Sequence, residues 1–259
     1  MGLVPTMGFL HEGHLSLVDL ARKETDFVAV SIFVNPLQFG PGEDLDRYPR
    51  ELDRDLSLLR ERGADLVFAP SVEEMYPAGD PEVTVDPGPM AQTLCGRYRP
   101  GHFRGVLTVV ARLLGLFKPQ FAAFGQKDYQ QAVLIRRMVK DLDLGVEIGL
   151  GPIVREEDGL AMSSRNLFLS PEERLQAQGL WRSFQVVQKA FEKGEQSVPA
   201  LRSLFVDELK HHPLLKLQYA EFVNPDTLGP TERIQAGFVL AVAAFCGRTR
   251  LIDNHMFAE

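Results

Sequence analysis

Pro5-Thr6-Met7-Gly8-Phe9-Leu10-His11-Glu12-Gly13-His14-Leu15 is the stretch that decides the fold of the first half of the chain. Leu3 and Val4, just before it, are apolar like the end of a strand, and residues 15–22 carry apolar side chains at helical spacing. The pattern predicts a strand that passes into a helix at two histidines flanking Gly13. Unpaired N–H groups and a partial positive charge at a first helical turn favour a bound phosphate. We therefore expect a nucleotide phosphate site here, with Gly13 leaving the backbone accessible and both imidazoles donating hydrogen bonds.

A pair of histidines also suggests a metal site. His11 and His14 are spaced i, i+3, whereas the two helical histidines of zinc proteases are spaced i, i+4, and no third ligand is obvious nearby. The spacing alone does not decide between the two kinds of site. Other segments of the chain are needed to choose between a phosphate site and a metal site.

Length and composition limit the classes of protein. A chain of 259 residues is long enough for one large domain and a smaller one. Its net charge of −7 argues against nucleic acid and anionic membranes as partners. The two cysteines, Cys95 and Cys246, form no disulfide framework, and no apolar run reaches the length of about 18 residues that a membrane span needs. With no signal peptide visible, we expect a cytoplasmic protein.

The first part of the chain alternates between strand-like and helix-like segments. Residues 27–34 are an almost unbroken apolar run, as in a strand buried on both faces. Further strands are predicted at residues 65–70, 121–124 and 146–150, with helices at 50–62, 107–117 and 129–142. This order predicts an α/β fold, a Rossmann-like parallel sheet wrapped by helices, over residues 1–153. In such sheets ligands bind at the carboxyl ends of the strands.

The remaining residues, 154–259, have a different pattern. Ser170-Pro171-Glu172-Glu173 is a helix start, and helices are predicted at residues 171–193 and 198–211. Three strand candidates follow at residues 217–223, 238–245 and 249–252. We expect a smaller C-terminal α+β domain with an antiparallel sheet.

Four more polar segments lie at strand ends or near the domain junction. Gln38 follows the second strand, and an amide can bind hydroxyl or carboxylate groups. Residues 99–105 hold two arginines and a histidine, as in an anion-binding loop. Lys127 stands at a strand-to-helix junction, and residues 163–166 place two serines before an arginine and an asparagine. Each segment alone also fits an ordinary loop, a solvated basic loop or a helix cap, but it is less credible that all of them, together with the histidine segment, have no function.

These segments together resemble one family, the pantoate–β-alanine ligases. The resemblance extends over almost the whole chain and rests on PTMGFLHEGH (5–14), FVNPLQFG (33–40), RPGHFRGV (99–106), FGQKDYQQ (124–131), DGLAMSSRN (158–166) and TRLIDN (249–254). It implies an ATP-dependent reaction in two steps. The carboxylate of pantoate attacks the α-phosphate of Mg·ATP to give pantoyl adenylate and pyrophosphate, and the amine of β-alanine then displaces AMP to give pantothenate. It also implies Mg²⁺, a homodimer, and a C-terminal domain that closes over the ATP site.

The resemblance also implies roles for individual residues. His14 and His11 would act on the phosphates, with His14 stabilising charge more than donating a proton, and Gln38 and Gln131 would bind pantoate. Lys127, Ser163, Ser164 and Arg165 would complete the catalytic set, and Arg99 is a weaker candidate. The ATP contacts would be Met7, Gly8, Phe9, Leu10, His11, Glu12, Gly13, His14, Gly125, Gln126, Lys127, Asp128, Val154, Met162, Ser163, Ser164 and Arg165. The metal ligands are not identified.

The chain departs from the family pattern at three places. Relatives usually have a longer stretch before Val4, and many carry Glu where this chain has Cys95 and Gln126. Two other functions remain open: a nucleotidyltransferase that moves AMP onto a phosphorylated acceptor, and a nucleotide-binding protein without activity. The two glutamines favour the ligase, because they suit a hydroxy acid better than a second phosphate.

Overall fold

The computed structural model describes residues 1–257, and the chain forms two compact units. The first consists of Met1–Gln126 and Gln130–Pro152, and the second of Lys127–Tyr129 and the chain from Ile153 onward. No helix within the described residues is both long and apolar enough to cross a membrane.

A five-stranded parallel sheet forms the centre of the first unit, as the alternating pattern predicts. The strand order is β3-β2-β1-β4-β5, and every neighbouring pair is parallel. Because the order reverses between β1 and β4, the carboxyl ends of these two strands flank the position where such sheets bind ligands. The strands are β1 (Gly2–Thr6), β2 (Val28–Ile32), β3 (Leu66–Phe68), β4 (Phe121–Gly125) and β5 (Glu147–Gly151).

The helices of this unit cover the sheet with their apolar faces. Leu15, Val18 and Ala21 of the first helix are buried in one core with Val4, on the first strand. The helix predicted at residues 107–117 begins earlier, at His102, directly after Gly101, whose φ of 82° is in the left-handed region. The helices are α1 (Glu12–Glu24), α2 (Leu52–Glu61), α3 (Val72–Met75), α4 (Leu94–Tyr98), α5 (His102–Phe117) and α6 (Tyr129–Asp141).

The second unit is an α+β structure with an antiparallel sheet ordered β6-β7-β8. The prediction of a single helix over residues 171–193 is wrong, because the helix breaks at Gln178. At the break, the ring of His212 packs so closely on Gly179 that a Cβ there would lie 2.4 Å from it. The elements are α7 (Pro171–Ala177), α8 (Gly179–Glu192), α9 (Val198–Leu209), β6 (Leu215–Val223), β7 (Val239–Cys246) and β8 (Thr249–Met256).

The segment Lys127–Tyr129 groups with the second unit although it begins only two residues after the end of β4. The side chain of Asn254 donates from Nδ2 to the carbonyl oxygen of Lys127 at 3.0 Å. The hydroxyl of Tyr129 donates to the carbonyl oxygen of Pro225 at 3.1 Å. These two bonds hold the segment to elements of the C-terminal half. The division into two functional domains, residues 1–153 and 154–259, stays a prediction.

Candidate active site

The loop after β1 is held in a left-handed conformation by one buried carboxylate. Gly8 and Phe9 have φ values of 81° and 50°. Asp55, on α2 and 1% exposed, accepts hydrogen bonds from the amides of Phe9 at 2.7 Å and Leu10 at 2.8 Å. Bonds from amides to an ionised carboxylate are among the stronger ones in proteins, so they offset the backbone strain.

Arg54 holds the same loop from its outer side. Its Nη1 donates to the carbonyl oxygen of Leu10 at 3.0 Å, and its guanidinium lies 5.1 Å from the centre of the Phe9 ring. The predicted ATP contacts Gly8, Phe9 and Leu10 therefore form a fixed loop rather than a mobile one.

The two histidines cap the first turn of α1. The amide of Gly13 donates to Nδ1 of His11 at 3.1 Å, and the amide of His11 donates to Nδ1 of His14 at 3.3 Å. An atom that accepts from an amide carries no proton, so each neutral ring carries its proton on Nε2. The rings lie 4.0 Å apart. The open first turn expected from the sequence is therefore closed at the Gly13 amide, and each imidazole keeps Nε2 as its donor atom.

Glu12 lies in the same turn, but its carboxylate forms an ion pair. Nη2 of Arg62 lies 2.5 Å from Glu12, and Nη1 of the same guanidinium lies 2.9 Å from Asp19. This pairing engages the side chain of Glu12 with Arg62. A contact between Glu12 and ATP, as predicted, would use the backbone.

Gln38 lies in a short 3-10 helix, Pro36–Gln38, after β2. Its Nε2 is 3.1 Å from the sulfur of Met7, so the structure brings together one predicted pantoate ligand and one predicted ATP contact. The carbonyl oxygen of Gln38 is held by Nδ1 of His102 at 2.8 Å and by Nη2 of Arg99 at 3.3 Å.

The segment predicted to bind anions supports the loop that carries Gln38. The guanidinium of Arg99 contacts both carboxylate oxygens of Glu43, at 2.7 and 2.5 Å. Burial raises the pKa of Glu43, but the hydrogen bond and charge of Arg99 outweigh it and hold the pKa below its usual value. In this structure Arg99 therefore has a carboxylate as its anionic partner.

Gly125 ends β4, and Gln126–Asp128 form one 3-10 turn before α6. Two glutamines begin α6. Gln130 is buried and donates from Nε2 to the carbonyl oxygens of Met90 and Thr93, at 3.2 and 2.9 Å. Gln131 is half-buried, so of the two it is the better candidate for contact with a substrate.

In the second unit, Val154 and Met162 are paired across a hairpin. The amide of Met162 donates to the carbonyl oxygen of Val154 at 3.0 Å. The hairpin turns at Gly159, whose φ is 89°, and a Cβ there would lie 2.0 Å from the Trp181 ring. Only glycine satisfies both conditions, so the hairpin that places these two predicted ATP contacts depends on it.

The segment after this hairpin is a capped turn. Ser163 accepts a hydrogen bond at Oγ from the amide of Arg165 at 3.3 Å, at the start of the 3-10 helix Ser164–Phe168. Asn166 donates to Glu156 at 2.7 Å and ties the turn to the hairpin. The interpretation of Ser163 as a cap is therefore confirmed, and Asn166 has a structural task. Ser164 is buried in the same turn.

Sequence reasoning missed two groups that hold these loops in place. Asp55 gives no local signal, because it stands in an ordinary amphipathic helix. Arg155 contacts both carboxylate oxygens of Asp253, at 2.7 and 3.1 Å, and its guanidinium lies 4.1 Å from the Trp181 ring centre. Burial raises the pKa of Asp253, and Arg155 opposes this shift. Asp253 belongs to TRLIDN, a motif to which the sequence alone assigned no task.

Residues 1–257 contain no group of three or more His, Cys, Asp or Glu side chains that could hold a metal ion. The two histidines of the first turn are hydrogen-bonded to amides at Nδ1, as described above. This geometry is that of helix caps, which weakens the metal-pair alternative.

A parallel sheet whose order reverses beside a histidine-capped helix start is the architecture of Rossmann-like nucleotide-binding enzymes. The family model described as Pantoate-beta-alanine ligase matches residues 1–256. The chain therefore belongs to the pantoate–β-alanine ligase family.

Individual relatives agree with this. A pantothenate synthetase of Thermoanaerobacter sp. (strain X514) is 55% identical over 259 residues, covering 100% of this chain and 91% of the relative. The crystal structure of pantothenate synthetase from Thermus thermophilus has a TM-score of 0.95 and 51% identity, covering 100% of this chain and 93% of the other. A Francisella tularensis pantoate-beta-alanine ligase, described as complexed with beta-gamma ATP and beta-alanine, has a TM-score of 0.80 and 35% identity, covering 98% of this chain and 88% of the other. The predicted family, fold class and enzyme class are confirmed.

Proposed function

We propose that the protein condenses pantoate with β-alanine to pantothenate at the expense of ATP, through a pantoyl adenylate. The observation that carries this proposal is the position of the uncharged Gln38 amide, whose Nε2 lies 3.1 Å from the sulfur of Met7. Met7 directly follows β1, the strand that leads to the first turn of α1 with His11 and His14, called the histidine turn below. An amide there suits a small hydroxy acid, whereas a second phosphate would call for cationic side chains. The Francisella tularensis relative bound to ATP and β-alanine supports both as substrates.

Both steps are displacements without a covalent enzyme intermediate. A carboxylate oxygen of pantoate bonds to the α-phosphorus as the bond to pyrophosphate breaks. The amine of β-alanine then bonds to the acyl carbon, the bond from that carbon to the phosphate oxygen breaks, and AMP leaves while the nitrogen loses a proton to solvent. Since one anion attacks another in the first step, the enzyme has to neutralise charge and position the reactants.

The histidine turn supplies uncharged hydrogen-bond donors for this purpose. Nδ1 of His11 and of His14 accepts an amide hydrogen, so each ring donates through Nε2. Protonating either ring at Nδ1 would break a bond that caps the helix. We therefore assign His14 and His11 the stabilisation of phosphate charge, aided by the positive end of α1, rather than proton donation.

The other predicted residues complete the proposed site. Lys127 and Arg165 would bring positive charge to the phosphates, and Ser163 and Ser164 would donate hydroxyl hydrogen bonds, since the Ser163 hydroxyl can donate while its oxygen accepts from the amide of Arg165. Gln38 and Gln131 would bind pantoate. Contacts to ATP would come from Met7, Gly8, Phe9, Leu10, Glu12, Gly13, Gly125, Gln126, Asp128, Val154 and Met162.

Mg²⁺ belongs to this proposal as the ion that accompanies ATP. An ion that accompanies ATP would be held mainly by phosphate oxygens and water, as Mg²⁺ usually is in nucleotide sites. The ion would shield the triphosphate charge. A homodimer and a cytoplasmic location are further proposals from the family resemblance, and light scattering on the purified protein tests the first.

Release of pyrophosphate tests the proposed function. With ATP, Mg²⁺ and pantoate alone, we expect about one equivalent of pyrophosphate per site and bound pantoyl adenylate. Adding β-alanine should give continuous turnover and pantothenate. Release only with a phosphorylated acceptor would indicate a nucleotidyltransferase, and calorimetric ATP binding without any release would indicate a protein that binds the nucleotide without turning it over.

A further inference from the structure

The side chain of Gln38 is the end of a chain of hydrogen bonds that begins at Tyr76. Tyr76 follows α3 and is 5% exposed. Its hydroxyl donates to Oδ1 of Asn35 at 2.9 Å, and Nδ2 of Asn35 lies 3.1 Å from Oε1 of Gln38. Neither Tyr76 nor Asn35 has a role in the function proposed above.

Backbone partners determine which way round the Asn35 amide stands. The amide of Leu37 can only donate, and it lies 3.4 Å from Oδ1. The carbonyl oxygen of Gly105 can only accept, and it lies 3.1 Å from Nδ2. The oxygen of Asn35 therefore faces Tyr76 and its nitrogen faces Gln38.

The orientation of Gln38 follows from that of Asn35. Because the nitrogen of Asn35 donates, the Gln38 atom opposite it is the oxygen. The NH₂ group of Gln38 then points the other way, towards Met7. Gln38 thus presents a donor, which matches a carboxylate or hydroxyl oxygen of a hydroxy acid.

We propose that Tyr76 is a positioning residue for the hydroxy-acid substrate, because its hydroxyl adds a third hydrogen bond to the Asn35 amide, which two backbone groups already orient, and so holds the donor side of Gln38 towards the bound acid. This inference rests on the proposed role of Gln38 in binding pantoate. Tyr76 acts through two side chains and does not touch the substrate.

The residues around Tyr76, Asn35 and Gln38 restrict the movement of this hydrogen-bonded series. A Cβ on Gly105 would lie 2.2 Å from the carbonyl oxygen of Leu37, so α5 packs directly on the backbone next to Gln38. The ring of Phe33 packs edge-on against Tyr76 at 5.9 Å. Burial also raises the pKa of Tyr76 to about 12, against the opposing charge of Arg112, so the hydroxyl keeps its proton and stays a donor.

Tyr76→Phe removes only the hydroxyl and tests the proposal. We expect the KM for pantoate to rise about fivefold, the typical effect of one lost hydrogen bond, with the KM for ATP unchanged. Tyr219→Phe, at another buried tyrosine, is the control and should leave both constants unchanged. A purely structural role would lower the melting temperature and the active fraction without changing the KM for pantoate, and that result would overturn the proposal.

Gln38→Glu is a second test that does not depend on the stability of the Tyr76 variant. Glutamate keeps an oxygen opposite Asn35 but replaces the donor near Met7 with a negatively charged oxygen. We expect a folded protein whose KM for pantoate is raised more than tenfold, because like charges repel. Retained affinity for pantoate would show that Gln38 presents its oxygen, which contradicts the proposal.

Assays of the unmutated protein separate the two failures. If it makes no pantothenate, the proposed function fails and the role of Tyr76 fails with it. If it makes pantothenate but Tyr76→Phe and Gln38→Glu both leave the KM for pantoate unchanged, only the positioning role is refuted.

Discussion

Replacing Asp55 with asparagine should loosen the loop between β1 and α1. The carboxylate accepts two amide hydrogens, at 2.7 and 2.8 Å, and is buried. In Asp55→Asn one amide faces an NH₂ group and the other keeps an uncharged acceptor. Hydrogen bonds to charged groups contribute about 1.5–3 kcal/mol each, so the two together contribute roughly 3–6 kcal/mol. The one bond that keeps an uncharged acceptor retains about 1 kcal/mol, and relaxation of the left-handed Phe9 returns about 1–2 kcal/mol, which leaves a net loss of about 1–3 kcal/mol in the free energy of unfolding.

Urea unfolding and calorimetric titration with ATP measure the two consequences. We expect the loss in stability together with at least a tenfold weaker binding of ATP, because the loop leads directly to His11 and His14. Asp53→Asn is a matched control on the same helix turn, exposed and without a bond to the loop, and should change stability by less than about 1 kcal/mol. Unchanged stability in Asp55→Asn would refute the account of the loop. Lower stability with unchanged ATP affinity would refute the placement of ATP there.

Three further perturbations test other parts of the account. His14→Ala should slow adenylate formation by about 10²–10³-fold in single-turnover assays, as loss of one charge-stabilising donor does, and an unchanged rate would exclude its role. Gln38→Ala should raise the KM for pantoate much more than the dissociation constant of ATP, and the reverse pattern would show that the pocket is wrongly assigned. Burial, aided by the charge of Arg155, lowers the pKa of His255 from 6.5 to about 4. The unfolded state therefore binds more protons in this window, and stability should fall by about 3 kcal/mol as the pH drops from 6.5 to 4. His255→Phe should flatten that part of the pH profile of urea unfolding, and an equally steep fall would contradict the assignment.

Patterns local in sequence predicted most of the sheet and the start of α1. The apolar run at residues 27–34 and the strand-to-helix change around the two histidines can be recognised from neighbouring residues alone. A continuous apolar run and helical spacing are visible in the sequence without knowing which distant residues pack against them. The break at Gln178 was not predictable in this way. It coincides with the packing of the His212 ring on Gly179, a contact between residues far apart in the chain.

The residues that hold the candidate site were hidden for the same reason. Asp55 stabilises a loop 46 residues before it, and Asn254 bonds to the backbone of Lys127 across 127 residues. Neither side chain differs from its neighbours in type or spacing. The motif residues were visible because glycines, histidines and amides cluster at strand ends. Their use in caps, as at His11 and Ser163, became visible only with the geometry.

The fate of oxygen from pantoate tests the central claim most directly. Pantoate labelled with ¹⁸O in its carboxylate is converted with ATP, Mg²⁺ and β-alanine, and the nucleotide product is analysed by mass spectrometry. Attack of the carboxylate on the α-phosphorus predicts one ¹⁸O atom in each AMP and none in pyrophosphate. Label in inorganic phosphate, or AMP without label, would contradict the adenylate and the task assigned to the two histidines.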